Sequence, residues 1–241
     1  MAAGKRVAIV QSNYIPWKGY FDLINCVDEF ILFDDVQYTR RDWRNRNRIK
    51  TPQGVAWLTI PVNVKGRYEQ RIDEVTVSDP GWAETHWKTI HQNYASASCF
   101  DECAGAIEAA YRSLRSELLT DINRQLLGSL CELVGIDTPL KRSSEYATEG
   151  RKSERLVNLC LAAGATEYLS GPAAKAYLDE GAFSDAGIGL SWFDYGGYPE
   201  YEQPYPPFEH SVSIVDLLFS TGADAPKYMK TFSPAAASNA N

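Results

Sequence analysis

The chain has 241 residues and a formal net charge of −7, with 44% hydrophobic and 23% charged residues. That length and composition are sufficient for a packed core and exclude a disordered protein. The acidic balance argues against a protein that coats nucleic acid through phosphate contacts, so we expect a small-molecule ligand and disfavour nucleic acid as a partner.

The five cysteines are odd in number and lie mostly in apolar sequence. Cys99 and Cys103 have no second pair to complete a zinc site, so buried thiols are the simpler interpretation. The N-terminal MAAGKRVAIV leads directly into a strand, and no apolar run has membrane-spanning length. We therefore predict a reduced, cytoplasmic protein with no membrane segment.

Two short apolar runs near the N-terminus predict buried strands, one from Val7 to Val10 and the other from Phe30 to Phe33. Between them, Gly19 to Val27 carries apolar residues at helical spacing. The simplest arrangement is a β-α-β unit, in which the strands are parallel and ligands bind beyond their carboxyl ends.

Polar side chains follow both predicted strands and therefore gather at one edge. They are Gln11, Ser12, Asn13 and Tyr14 after the first strand, and Asp34, Asp35, Gln37 and Tyr38 after the second. Such crowding is costly to desolvate unless the groups are used. Asp34 and Asp35 are candidate catalytic groups, as is Tyr20 at the helix start. The alternative is that the aspartates cap a turn and Gln11 satisfies loop backbone.

The segment from Tyr38 to Lys50 holds six basic residues and one aspartate, so positive charge is concentrated here in an acidic chain. Its alternation of guanidinium and amide groups suits bidentate binding of a phosphate, pyrophosphate or carboxylate. The candidate binding residues are Arg41, Trp43, Asn45, Arg46, Asn47 and Arg48. The alternatives are an exposed charged face and a structural network with Asp34 and Asp35.

The next segments predict a strand from Ala56 to Val62 and another from Ile72 to Val77, which would form a small sheet extension. Helical patterns follow, and they could form an α-helical lobe at about residues 82–134. Within it, His86 is a candidate general base, proton shuttle or phosphate ligand. The alternative is that His86 packs between Trp82 and Ile90.

In the last third, helix, strand and polar turn alternate, which is typical of a parallel α/β protein. Ser170 and Gly171 follow a predicted strand, where they could bind an anion or simply cap a helix. Gln203, in a segment rich in proline and tyrosine, could form a wall of the site.

These patterns predict one α/β domain over residues 1–230, with a parallel Rossmann- or HUP-like sheet flanked by helices, a small strand extension and an α-helical region. A flexible tail is expected at residues 231–241.

Three segments resemble the WbqC-like family, whose patterns read approximately QPYFFPYIGYFQLI, YDDVQY and RGWINRNRI. The matching segments are QSNYIPWKGYFDLI at Gln11–Ile24, DDVQY at Asp34–Tyr38 and RDWRNRNRI at Arg41–Ile49. Departures are Ser12-Asn13 for Pro-Tyr, Asp42 for Gly and Arg44 for an apolar residue. The resemblance implies a role in bacterial surface-polysaccharide or O-antigen biosynthesis, with transfer of an amino acid such as glycine as one suspected chemistry.

The strand, loop and helix start are also similar in architecture to HUP-type nucleotidyltransferases. Trp17-Lys18-Gly19-Tyr20 stands where that group has HxGH. Because neither histidine is present, adenylate chemistry in its usual form is not expected.

The leading hypothesis is a transferase in which arginines bind an activated phosphorylated or carboxylated substrate, an aspartate acts as base and His86 shuttles a proton. One alternative is a non-catalytic protein of polysaccharide assembly that binds a nucleotide-sugar or a partner enzyme. Another is a nucleotide or nucleic-acid binding or modifying protein that stacks bases on Trp43 and Tyr38. No metal or cofactor is predicted, although Mg²⁺ at Asp34 and Asp35 and a homo-oligomer are compatible with the sequence.

Overall fold

A computed structural model of the chain describes residues 4–232, which contain seven strands in two sheets. In chain order the strands are β1 (Arg6–Val10), β2 (Glu29–Leu32), β3 (Arg46–Thr51), β4 (Gly54–Thr59), β5 (Leu140–Arg142), β6 (Glu167–Ser170) and β7 (Gly189–Trp192). Five of them form a parallel sheet in the order β5-β2-β1-β6-β7, and β3 and β4 form an antiparallel hairpin.

Seven α-helices accompany these strands in the described part of the chain. They are α1 (Lys18–Asn25), α2 (Trp82–Tyr94), α3 (Phe100–Ser113), α4 (Leu119–Val134), α5 (Lys152–Ala162), α6 (Glu180–Asp185) and α7 (Ile214–Thr221). The predicted α/β class with a parallel sheet flanked by helices is therefore confirmed.

After their first residues, Arg6 and Glu29, the strands β1 and β2 are apolar because helices cover both faces of the sheet. Ala8 and Phe30 pack in one core cluster with side chains of α1, α2, α3, α4 and α7. Val7, Ile9 and Ile31 point the other way and pack against α5 and α6. The helical region at residues 82–134 thus shares its core with the sheet.

The chain changes faces at the junction of β1 and β6, which are neighbours in the sheet. The α1 crossover from β1 to β2 lies on the first face, whereas the α6 crossover from β6 to β7 lies on the second. In doubly wound sheets, ligands bind outside the carboxyl ends of the strands at such a switch point. The loops after β1 and β6 are therefore the first place to look for a site.

The hairpin is the predicted small extension, but its composition differs from the prediction. Its first strand, β3, is the arginine and asparagine segment itself, for which no strand was predicted. The strand predicted at 72–77 is wrong, because Ile72–Glu74 forms a 3₁₀ turn in which the Glu74 carboxylate accepts from the Arg71 backbone N–H at 2.8 Å. Only single bridges remain there, including Val62 with Val77.

The predicted flexible tail falls mostly on residues 233–241, which lie outside the described residues. Just before them, Thr231 donates its backbone N–H and its hydroxyl to Asp22 Oδ1, at 3.0 and 2.6 Å. Asp22 is fully buried in α1. These hydrogen bonds hold the chain against α1 up to Thr231.

Within residues 4–232, we find no helix whose length and apolarity would let it cross a bilayer.

We predict that Phe183→Ala destabilises the protein by about 3–5 kcal/mol, as expected for truncating a buried aromatic side chain. Phe183 is fully buried on the second face and stacks on Tyr168 with ring centroids 5.3 Å apart. Denaturant unfolding measures the change. Tyr177→Ala is the matched control, since Tyr177 is 71% exposed. Equal losses in both variants would contradict the assigned layers.

Candidate functional site

Asp34 lies at the carboxyl end of β2 and joins three parts of the chain. Its Oδ1 accepts from the Ser12 backbone N–H at 2.8 Å, and its Oδ2 accepts from the Thr120 hydroxyl at 2.5 Å. The side chain is almost completely buried. Because both oxygens are used within the chain, Asp34 connects the loop after β1 to the start of α4.

Asp35 is more open and is held from the other side of the sheet edge. Its Oδ1 accepts from the Ser143 hydroxyl at 2.6 Å, and its Oδ2 accepts from Arg155 Nη2 at 2.5 Å. Ser143 follows β5 and Arg155 lies in the first turn of α5. A partly exposed carboxylate that is held by a guanidinium can orient a donor or accept a proton. Of the two predicted aspartates, Asp35 is therefore the better placed for chemistry.

Three buried polar atoms around the end of β1 have no hydrogen-bond partner among the described residues. They are Asn13 Oδ1, Arg44 Nε and Asn123 Oδ1. Their residues are tied together, because Asn123 Nδ2 donates to Ser12 Oγ at 3.0 Å and to the Arg44 carbonyl at 2.9 Å. Buried polar atoms are nearly always paired, so an unpaired group of them marks a place for a ligand or ordered water. We call Asn13, Arg44 and Asn123 the β1-edge cluster.

Arg44 supplies the positive charge of this cluster. The residue is only 8% exposed, and its ion-pair partner in the described chain, Asp42, stands 3.7 Å away, beyond hydrogen-bond distance. Its charge also opposes the rise that burial causes in the pKa of Tyr20. A buried charge without a hydrogen-bonded counter-ion is costly, so this guanidinium is suited to an incoming anion.

Tyr20 lies near enough to Arg44 to feel its charge and is bonded to Gln11. The Tyr20 hydroxyl donates to the Gln11 carbonyl at 2.9 Å, and burial raises the pKa of Tyr20 well above its ordinary value. Tyr20 therefore stays protonated and positions the loop. The Gln11 side-chain amide makes no hydrogen bond to the described residues and remains free for a ligand.

His86 and Tyr14 belong to a buried chain of hydrogen bonds. His86 Nε2 lies 3.2 Å from the Thr59 carbonyl, which can only accept, so this nitrogen carries the proton. Nδ1 consequently accepts from the Tyr14 hydroxyl at 2.8 Å, and Tyr14 accepts in turn from Tyr111. Burial lowers the pKa of His86 to about 4. The predicted proton shuttle thus has both ring nitrogens engaged in the core.

Asn45 and Asn47 use their amides to hold the hairpin in place. Asn45 accepts from the Tyr38 hydroxyl and donates to the Ile60 carbonyl, both at 2.8 Å. Asn47 donates to the carbonyls of Tyr14 and Ile15, each at 3.0 Å. Ile15 has a φ of +34°, which is uncommon for a β-branched residue and needs such support. No amide group of either asparagine is left for a substrate.

The outward-facing part of the arginine segment is separate from the aspartates. Arg46 and Arg48 lie over Trp57, and no hydrogen bond or ion pair within residues 4–232 joins them to Asp34 or Asp35. Arg41 is exposed, and its carbonyl accepts from Arg46. The predicted site is therefore divided between the sheet edge and the outer face of the hairpin.

The remaining predicted residues are dispersed. Gln37 is exposed and donates to the Tyr68 carbonyl at 3.0 Å, while Gln203 donates to Asp216 Oδ1 at 2.8 Å. Ser170 ends β6, and its hydroxyl lies 3.3 Å from that of Tyr168. Gly171 follows it beside the switch point and begins a short 3₁₀ turn. Only Ser170 and Gly171 of this group lie at the sheet edge.

A groove of about 710 Å³ lies elsewhere, between α4 and the edge strand β5. Its arginines are already engaged: Arg142 pairs with Asp121 at 2.6 Å, and Arg115 and Arg124 donate to backbone carbonyls. Because its arginines are satisfied within the chain, the groove is a weaker candidate for an anion site than the β1-edge cluster.

Within residues 4–232, no group of three or more His, Cys, Asp or Glu side chains could hold a metal ion. Mg²⁺ at Asp34 and Asp35 would share their oxygens with the hydroxyl and guanidinium groups that already donate to them.

Four residues that the structure brings to this edge were not among the site residues predicted from the sequence: Arg44, Asn123, Ser143 and Arg155. Arg44 could have been recognised as a site residue, because it stands where the family pattern has an apolar residue. The other three lie far along the chain from Asp34.

The parallel sheet, with helices on both faces and a change of face between β1 and β6, makes this an α/β protein of the Rossmann-like class. The chain belongs to the WbqC-like protein family, whose family model matches residues 11–228. It is 52% identical over 226 residues to a Mycobacterium tuberculosis protein described as "Uncharacterized protein Rv1507c", covering 94% of this chain and 98% of that protein. No solved structure matches. The family resemblance found in the sequence is confirmed.

We predict that His86 makes folding stability depend on pH. Its pKa is about 4 in the folded protein against an ordinary value of 6.5, so between these pH values the unfolded chain holds a proton that the folded chain does not. The free energy of unfolding should therefore fall as the pH is lowered through this window, by up to about 1.4 kcal/mol per pH unit.

The measurement is the unfolding free energy of wild type minus that of His86→Gln at several pH values. A glutamine can still bond to Thr59 and Tyr14 but cannot titrate. A difference that does not change with pH would show that His86 is not buried as a neutral ring.

Proposed function

We propose that this protein is a transferase of bacterial surface-polysaccharide or O-antigen biosynthesis that binds an activated phosphorylated or carboxylated substrate at the β1-edge cluster. The single observation behind this proposal is the buried Arg44 side chain, whose Nε has no hydrogen-bond partner in the described chain and whose carbonyl accepts from Asn123 beside the loop after β1. Membership of the WbqC-like family supplies the biosynthetic context.

Arg44 would bind the anionic group of the substrate. A guanidinium presents planar N–H donors that match a carboxylate or phosphate, and burial strengthens the attraction by excluding water. Since Asp42 lies 3.7 Å away and does not form a hydrogen bond, the ligand anion would be the closer counter-ion. Binding would thereby remove a cost that the free protein bears.

The unpaired oxygens of Asn13 and Asn123 are acceptors, which favours a ligand that carries N–H or O–H groups beside its anion. Amino acids and phosphorylated sugars both have this combination. Transfer of an amino acid such as glycine to an activated phosphorylated substrate is therefore compatible with the chemistry of the cluster.

Asp35 would act in the transfer step. The amine nitrogen would form a bond to the activated carbon, the leaving group would depart with its electron pair, and the proton released by the amine would pass to the Asp35 carboxylate. Arg155, at 2.5 Å, would keep that carboxylate oriented. Asp35 follows β2, which pairs directly with β1, so it stands on the strand next to the cluster.

A non-catalytic binding protein of polysaccharide assembly is the second candidate. It is favoured by the full engagement of Asp34 and His86 within the chain, which leaves Asp35 as the main acid-base group at this edge.

We predict that Arg44→Gln weakens binding of pyrophosphate or of a nucleotide-sugar by at least about tenfold, because a hydrogen-bonded charge is lost from a buried site. Isothermal titration calorimetry, guided by a thermal-shift screen of nucleotide-sugars, amino acids and pyrophosphate, measures the affinity. Arg46→Gln removes the same charge from the outer face of the hairpin and should leave the affinity for pyrophosphate unchanged. Wild-type affinity in Arg44→Gln, or equal losses in both variants, would contradict the proposed anion site.

We further predict that Asp35→Asn lowers the rate of product formation by at least about a hundredfold, the range expected for loss of a general base. The dissociation constant of the anionic substrate should change little, because Arg44 is untouched. Product is followed by mass spectrometry with the ligand pair found in the screen. Full turnover by Asp35→Asn would exclude its role, and binding without product in wild type would favour the second candidate.

A further inference from the structure

Two tryptophans lie side by side on the outer face of the β3–β4 hairpin. Trp43 is 37% exposed and Trp57 is 46% exposed, and their ring centroids are 5.3 Å apart with an interplanar angle of 40°. The other large exposed aromatic residues in the described part, Tyr68 and Tyr177, lie on other segments of the chain. A contiguous exposed indole surface is unusual for a surface that contacts only water.

Two arginines frame these rings. The Arg46 guanidinium carbon lies 4.1 Å from the Trp57 ring centroid, and that of Arg48 lies 5.8 and 5.9 Å from the Trp43 and Trp57 centroids. No carboxylate among residues 4–232 pairs with Arg46, and Glu209 reaches Arg48 only at 3.7 Å. Trp43, Trp57, Arg46 and Arg48, which we call the indole face, therefore combine flat aromatic surface with under-compensated positive charge.

The alternation of β3 separates this face from the β1-edge cluster. Arg46 and Arg48 point outward over the hairpin, whereas Asn47 points inward to the loop after β1. The Trp43 carbonyl accepts from the Tyr14 backbone N–H at 3.0 Å, so the indole face is fastened to the same loop. The indole face and the β1-edge cluster thus both adjoin the loop after β1.

We propose that the indole face is a second binding site, which takes a saccharide bearing a carboxylate or phosphate. This rests on the proposed function, because an anionic saccharide is the kind of acceptor or carrier on which such a transferase would act. The C–H face of a sugar ring carries positively polarised hydrogens and matches the negative face of an indole. The guanidiniums of Arg46 and Arg48 would bind the anionic group.

The charge of the chain favours a short anionic saccharide over a nucleic acid. Single-stranded nucleic acid also stacks on aromatic rings, but it binds through a long positively charged groove that follows its backbone. The indole face has two arginines and belongs to a chain of net charge −7, so it does not provide such a groove.

The test compares pentamannose 6-phosphate with neutral mannopentaose, and adds a hyaluronan tetrasaccharide as the carboxylate arm. Tryptophan fluorescence and calorimetry measure binding. We expect saturable binding of at least one anionic saccharide, at least about tenfold tighter than that of mannopentaose. Trp57→Ala and Arg48→Gln should each weaken it about tenfold or more.

Control variants separate this inference from the proposed function. Tyr177→Ala should keep full saccharide affinity, whereas Trp57→Ala should keep full pyrophosphate affinity. Should Trp57→Ala misfold, Arg46→Gln and Arg48→Gln test the same site without removing an aromatic ring.

The inference is overturned if neither anionic saccharide binds, if mannopentaose binds equally well, or if the indole variants bind as wild type does. Tighter binding of a single-stranded hexanucleotide would assign the face to nucleic acid instead. If pyrophosphate binding still depends on Arg44 in any of these cases, the proposed function survives while the second site does not.

Discussion

The site depends on the hydrogen bonds that the Asp34 carboxylate accepts. The carboxylate accepts from the Ser12 backbone and from Thr120, and so fixes the loop after β1 against the start of α4. One turn further along α4, Asn123 reaches both Ser12 and the Arg44 carbonyl. A buried carboxylate with both oxygens paired to neutral donors is tolerated in a core, whereas an unpaired one is not. Because Asp34 joins these segments, Arg44 lies where no carboxylate of the described chain forms a hydrogen bond with it.

Much of this edge could be predicted from the sequence. The apolar runs of β1 and β2 and the helical spacing between them define a parallel unit, and polar residues after each strand must then share an edge. That reasoning located Gln11, Asn13, Asp34 and Asp35 correctly at strand ends. It could not assign Asp34 to structure and Asp35 to the open side, because that division depends on Thr120, Ser143 and Arg155, which lie far along the chain.

The arginine and asparagine segment shows a second limit. Its residues have low strand propensity, so no strand was predicted there. In β3, successive side chains point to opposite faces of the strand. Asn47 therefore points inward and bonds to the loop after β1, while Arg46 and Arg48 point outward onto indole rings. Arg44 precedes β3, so the alternation of the strand does not determine the direction of its side chain. The charge excess was visible in the sequence, but the direction of each side chain was decided by pairing with β4.

The central claim is that Arg44 binds the anionic group of the substrate, and nuclear magnetic resonance of its side chain tests this most directly. The Arg44 Nε–Hε signal is the arginine signal that disappears in Arg44→Gln, which assigns it. We expect this signal to shift and saturate as pyrophosphate is added to the wild-type protein, with the same dissociation constant as calorimetry gives. An Arg44 signal that stays unmoved while pyrophosphate saturates the protein would contradict the account.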